Sequence, residues 1–170
     1  CSSARIAFRD VTKYDNSRGV VAALLPPDVV VMHASPYLLK VAADERDEAF
    51  VLGVMSSIPF DWYARRIVEL HLTFELLGSM PIPKPDADSA WRTRVVEIAG
   101  RLAAVDARYG DWAAAVGVPV GSVNGEKERD DLLAELDALV GLLYGLTQKE
   151  LEYVFSSFHR GWHYENRLAR

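Results

Sequence analysis

The proline cluster at residues 81–85 is the feature that most limits how this chain can fold. Pro81, Pro83 and Pro85 cannot donate a backbone hydrogen bond to a helix or to a sheet. The hydrophobic pattern also changes here, from mixed upstream to helical throughout downstream. The sequence therefore predicts an α+β fold in two parts. These are a small mixed β/α domain at residues 1–85 and a helical extension, a hairpin or small bundle, at residues 86–170.

The upstream part mixes strand patterns with helical ones. Residues 5–9, for example, alternate polar and apolar side chains, as a half-buried strand does. Strands are expected at residues 5–9, 20–25, 29–32 and 73–77. The Pro-Pro-Asp sequence at residues 26–28 predicts the turn between the second and third of them. Helical spacing runs from Asp47 to Ile58 and from Phe60 to Val68.

Downstream of the prolines, apolar residues recur every three or four positions, which indicates amphipathic helices. One apolar seam runs from Trp91 to Val105 behind a predicted N-cap at Ser89, and a second lies at residues 132–143 behind Asn124. Both seams need burial, so we expect the two helices to pack against each other. The Thr-Gln-Lys-Glu sequence at residues 147–150 has capping-box form and predicts one more short helix.

Composition places the chain among globular proteins without favouring nucleic acid. Half of the residues are hydrophobic, which is enough for a core. The net charge of -5 is opposite in sign to that of a usual free-standing nucleic-acid binder. The charge is uneven, however, because Lys and Arg outnumber Asp over residues 1–40, whereas residues 126–152 are rich in Glu and Asp. This distribution leaves room for a locally positive face.

The single cysteine, Cys1, excludes an internal disulfide framework and suits a reducing cytoplasm. The opening Cys-Ser-Ser also fits the mature end of a lipoprotein, but patterned sequence begins at Arg5 without a flexible tether. No apolar run approaches the roughly 18–20 residues that a membrane span needs. We therefore expect a cytoplasmic protein.

The sequence contains no catalytic motif that we can assemble. It has no glycine-rich phosphate loop and no nucleophile elbow, and Cys1 lies outside any nucleophile pattern. His159 and His163 stand four residues apart, as metal ligands on a helix can. No further ligand motif accompanies them, and surface or packing histidines are the better interpretation. We expect no catalytic residue, no cofactor site and no metal site in this chain.

An aromatic and basic cluster occupies residues 61–66. On a helix, Arg65 and Arg66 would project about 100° apart, so at least one of them should reach solvent. Adjacent arginines beside Trp62 and Tyr63 suit phosphate contact or base stacking. The cluster also fits aromatic residues packed in a core beneath solvated arginines, and residue chemistry alone favours this second interpretation.

An ordered set of sequence phrases resembles the C-terminal region of fused bacterial restriction–modification proteins, type II and similar to type IIG, that have an adenine-N6 methyltransferase core. Two of these phrases are Phe60-Asp61-Trp62-Tyr63-Ala64-Arg65-Arg66 and Met80-Pro81-Ile82-Pro83, and the specificity lies in the ordered set. Others lie at residues 5–11, 20–27, 34–39, 71–74, 136–140, 143–146 and 150–154. A strand ending in Pro-Ile-Pro before a long helix is also similar to target-recognition domains of type I specificity subunits.

The resemblance implies a DNA target-recognition module of a bacterial, cytoplasmic protein that is not catalytic by itself. Its partners would be double-stranded DNA and an upstream methyltransferase domain of the same parent protein. That domain would bind S-adenosylmethionine and methylate adenine, with or without an endonuclease on the same chain. Gly19 and Thr73 stand where the family pattern has Thr and Asn, so any DNA contact of those usual side chains is not carried over.

The DNA-facing surface is expected in the first part of the chain. Its candidate contacts are Arg9, Lys13, Arg18, Arg65, Arg66 and His71. The later helices are too acidic to approach phosphates without repulsion. The alternative is a structural or protein-interaction domain that packs against the parent enzyme, which the acidic charge and the two amphipathic helices support.

Overall fold

The computed structural model describes residues 2–13, 16–158 and 167–170, which form a mixed α+β fold, as the sequence predicts. Two short antiparallel strands, β1 (Arg5–Phe8) and β2 (Ala22–Leu25), pair with Arg5 opposite Leu25. The helices of these described ranges are α1 (Glu45–Ser56), α2 (Ile58–Ile67), α3 (Phe74–Ser79), α4 (Ala90–Ala103), α5 (Gly110–Val116), α6 (Gly125–Leu143) and α7 (Gln148–Ser156), with a 3₁₀ turn at Ala107–Tyr109 before α5. None of them is both long and apolar enough to cross a membrane.

Polar side chains begin several helices where the sequence indicates. The hydroxyl of Ser89 accepts a hydrogen bond from the first turn of α4, and Thr147 forms a capping box with Glu150 at the start of α7. Ser57 caps α2 in the same way. Such side chains satisfy N–H groups that have no partner within the helix. Asn124 occupies the N-cap position of α6, as predicted, but its side chain makes no capping hydrogen bond.

Two of the predicted strands are not strands. Residues 73–77 enter helix α3, because Thr73 Oγ1 accepts a hydrogen bond from Leu76 N at 3.2 Å and caps the first turn. A short apolar run fits a strand or a helix equally well, and here the hydroxyl cap favours the helix. Residues 29–32 leave the sheet after Asp28, whose φ of 60° turns the chain, and Val30 is 96% exposed.

Helix α1 lies at the centre of the core and packs against α4, which packs in turn against α6. Gly53 permits the close approach of α1 and α4, since a β-carbon there would lie 2.9 Å from Val95 Cγ1. Buried residues from both sides of the proline cluster, among them Met55, Phe60 and Leu136, belong to this one core. The division of the chain into domains at residue 85 stays a prediction, and packing continues across it.

The two amphipathic seams of the second part face each other, as predicted. Val95 and Ile98 of α4 and Leu136 and Val140 of α6 are buried. Trp91, at the start of the first seam, is 48% exposed. Burial therefore begins about one turn later than the sequence pattern indicates.

Candidate nucleic-acid interface

A cleft of about 250 Å³ opens between helix α2 and a loop whose described residues are 12–13 and 16–19. We call it the basic cleft. It is lined by Thr12, Lys13, Ser17, Gly19, Trp62, Arg65, Arg66, Val68, Ser157 and Phe158. Three of these residues are cationic and none is a carboxylate, although the whole chain carries a net charge of -5. The described lining of the basic cleft is therefore positive.

The buried side chain of Asp61 ties the loop to helix α2. Its Oδ1 accepts a hydrogen bond from Val20 N at 2.5 Å. Its Oδ2 lies 3.3 Å from Arg18 Nε and 3.4 Å from Arg65 Nε. A buried carboxylate is tolerated only when it is paired and hydrogen-bonded, so these contacts set the position of the loop relative to the helix.

Arg65 lines the basic cleft and also holds its loop in place. Its Nη2 donates to the carbonyl oxygens of Asn16 and Ser17, each at 2.7 Å. Its guanidinium carbon lies 4.7 Å from the centre of the Phe158 ring, a cation–π contact. Much of the hydrogen-bonding capacity of this guanidinium is therefore already used within the protein.

Arg18, Arg9 and His71 are not part of the cleft lining. Arg18 Nη2 donates to Ser56 O at 3.0 Å, and Arg9 Nη2 donates to Arg18 O at 2.8 Å. His71 Nδ1 lies 3.1 Å from Asp10 Oδ1. These contacts organise the protein itself, and a DNA contact by any of the three predicted residues stays a prediction.

Lys13 and Arg66 are the cleft residues whose cationic side chains are exposed. Among the described residues, no carboxylate forms an ion pair with either of them. The guanidinium carbon of Arg66 lies 4.5 Å from the centre of the Trp62 ring. The structure thus brings together Lys13, Arg65 and Arg66, three of the six predicted residues, and presents two of them to solvent.

A second buried carboxylate, Asp137 of α6, joins α2 to the C-terminal residues. Its Oδ1 accepts a hydrogen bond from Ile58 N at 2.8 Å, and its Oδ2 lies 2.7 Å from Arg167 Nη2. Burial raises the pKa of Asp137 from 3.8 to about 6, against the opposing effect of Arg167. Sequence reasoning missed this residue, although a lone carboxylate between Leu136 and Val140 on an apolar helix face signals a buried pair.

A second cavity, of about 300 Å³, shares Trp62 with the basic cleft. We call it the aromatic groove. It is lined by Pro59, Trp62, Tyr63, Pro81, Tyr144, Leu146, Glu150, Tyr153 and Val154. The Tyr144 hydroxyl donates to Pro81 O at 2.7 Å, and burial raises the pKa of Tyr144 above its ordinary value.

In the part of the chain that the structure describes, no group of three or more His, Cys, Asp or Glu side chains could hold a metal ion. Cys1, His159 and His163, the residues considered as a nucleophile or as metal ligands, lie outside the described residues.

Comparison of the chain with protein-family models, with curated proteins and with solved structures finds no match in any of the three. The fold and the site by themselves therefore define only a class of protein. It is a mixed α+β protein with a basic cleft that has an aromatic wall.

Proposed function

We propose that this chain is a DNA target-recognition module, not catalytic by itself, of a bacterial restriction–modification adenine-N6 DNA methyltransferase. Two observations support the proposal. One is the resemblance of the ordered sequence phrases to restriction–modification proteins, and the other is the basic cleft. In this proposal the partners are double-stranded DNA and an upstream methyltransferase domain of the same protein. That domain binds S-adenosylmethionine.

The charge of the basic cleft is the observation that carries the proposal. A protein with a net charge of -5 repels DNA phosphates on average, so binding requires cations gathered in one place without carboxylates beside them. The described lining of the cleft has three cations, of which Arg65 is paired with the buried Asp61, whereas no described carboxylate pairs with Lys13 or Arg66. Because Arg65 is engaged by two loop carbonyls, Lys13 and Arg66 are the side chains that we expect to contact phosphates.

The backbone on either side of Lys13 is anchored. Thr12 N donates to Leu70 O at 2.8 Å on one side. On the other side, the carbonyls of Asn16 and Ser17 accept hydrogen bonds from Arg65. A cation placed between two anchors loses less freedom when it meets a phosphate, which favours binding.

The test is duplex DNA binding by the 170-residue chain across a salt series, measured by fluorescence anisotropy. We expect weak binding, since few phosphates are contacted and the chain is acidic overall, and an affinity that falls as the salt concentration rises. The double variant Lys13→Ala/Arg66→Ala should bind more weakly, and the slope of log K against log salt should fall by about two. The matched control is Lys84→Ala/Arg129→Ala, which removes the same charge from exposed positions outside the cleft.

Comparison of the two double variants shows whether the loss of DNA affinity is specific to the basic cleft. An equal loss of affinity in both would indicate a nonspecific effect of total charge and would count against the cleft. Duplex binding that is undetectable at low salt would overturn the DNA assignment and favour the alternative, a domain that packs against the parent enzyme.

A further inference from the structure

We infer that the basic cleft holds one unpaired nucleotide of a DNA strand, with a phosphate at Lys13 and Arg66 and the base stacked on the Arg66 guanidinium. This inference rests on the proposed function and specifies the form of DNA that the cleft accepts. It depends on the shape of the cleft, on its chemistry and on the stacking of Arg66 over Trp62.

The size of the cleft suits one residue of a polymer. Its volume of about 250 Å³ lies just below the range of roughly 300–1,000 Å³ that drug-sized ligands occupy. The phosphates of a duplex lie on a convex surface, and its bases are stacked inside. A concave site with an aromatic wall is therefore filled only when a nucleotide leaves the stack.

The lining offers both halves of a nucleotide a partner. Lys13 and Arg66 are the exposed cations, and Thr12 and Ser17, which carry hydroxyls, also line the cleft. The cleft also has apolar surface from Trp62, Val68 and Phe158. Groups of these two kinds in one small cavity match a ligand with an anionic end and a flat, largely apolar end.

Arg66 provides the stacking surface. Its guanidinium carbon lies 4.5 Å from the centre of the Trp62 ring, so the ring supports one side of the group. A guanidinium plane stacks on nucleobases as well as on aromatic rings. Stacking tolerates any base, so the cleft should show little sequence preference of its own.

The experiment compares three probes bound to the 170-residue chain at one low salt concentration. They are a labelled oligothymidylate, a blunt duplex of the same length, and that duplex with one unpaired thymidine. We expect the oligothymidylate and the bulged duplex to bind more tightly than the blunt duplex. Substitution Arg66→Lys keeps the charge but removes the planar group, so the ratio of single-strand to duplex affinity should fall roughly tenfold.

The controls separate this inference from the proposed function. Arg129→Lys makes the same exchange at an exposed position outside the cleft, and its affinity ratio should equal that of the wild type. Equal affinity for all three probes, with a ratio that Arg66→Lys does not change, would overturn the inference and leave duplex recognition standing. Undetectable binding of the blunt duplex would overturn the proposed function, and absence of binding to every probe would overturn this inference with it.

Discussion

Arg65 and Arg66 are neighbours in the sequence but serve different purposes in the structure. Because a helix turns by about 100° per residue, they project in different directions from α2. Arg65 meets the buried carboxylate of Asp61 and two loop carbonyls, whereas Arg66 lies over Trp62 and is exposed. Replacing both arginines together would therefore confuse a structural role with a binding role, and single substitutions at Arg66 are the informative ones.

The buried carboxylate of Asp137 should make the protein less stable as the pH rises, which is the opposite of the usual effect of a carboxylate. Its pKa is raised to about 6 in the folded protein, so the folded state holds this proton more tightly than the unfolded state does. The contribution of the group to stability is therefore full below about pH 4 and is lost as the pH rises through about 6.

The variant Asp137→Asn isolates this effect from the other carboxylates. We expect the free energy of unfolding of the wild type, minus that of the variant, to fall by roughly 2 kcal/mol between pH 4 and pH 7. Urea unfolding at several pH values measures the difference. A difference that stays constant over this range would show that Asp137 is ionised throughout, held so by Arg167.

At the scale of elements, local and long-range signals differ in how well they predict structure. Helix α4 begins at its predicted cap, and α7 begins at its predicted capping box. Helix α3 was expected to be a strand, because its six residues are too few for periodicity to distinguish the two. The position of α1 in the core depends on Gly53, which no periodic pattern singles out.

The packing of α1 against α4 can be tested at two helical glycines. In Gly53→Ala the new β-carbon would lie 2.9 Å from Val95 Cγ1 and 3.2 Å from Ala99 Cβ. Overpacking should outweigh the gain in helix propensity, for a net loss of about 1–2 kcal/mol. In the matched control Gly78→Ala the β-carbon has no neighbour within 4 Å, so a small gain in stability is expected. Chemical denaturation measures both, and equal effects would contradict the close approach.

The whole molecule has a negative net charge, but parts of its surface are basic or apolar. The basic cleft is one such surface. Another is the apolar stretch after β2, where Val30 is 96% and Val41 97% exposed. Under the proposed function, we expect these exposed apolar side chains to face the upstream methyltransferase domain.

The proposed function predicts that the 170-residue chain alone neither binds S-adenosylmethionine nor transfers a methyl group. In the proposed function, the cofactor site belongs to the upstream domain. Isothermal titration calorimetry with S-adenosylmethionine should give only heats of dilution, whereas the parent protein should give a binding isotherm. A clear micromolar isotherm from the chain alone would show that a cofactor site lies within these residues.

The amino-acid sequence by itself determined the α+β class, the positions of most helices and the solvent-facing arginine of α2. These depend on periodicity and caps, which act over a few residues. The resemblance supplied the DNA hypothesis, and charge along the chain placed the candidate residues before position 85.

Tertiary structure decided which of those candidates share a site and which are engaged elsewhere. Arg18 reaches Ser56, Arg65 reaches Asn16, and Asp137 reaches Ile58, all across long sequence separations. No local pattern encodes such partners, because they meet only when helices pack. The same packing buries Asp61 and Asp137, and a buried charge must find a partner wherever the fold provides one.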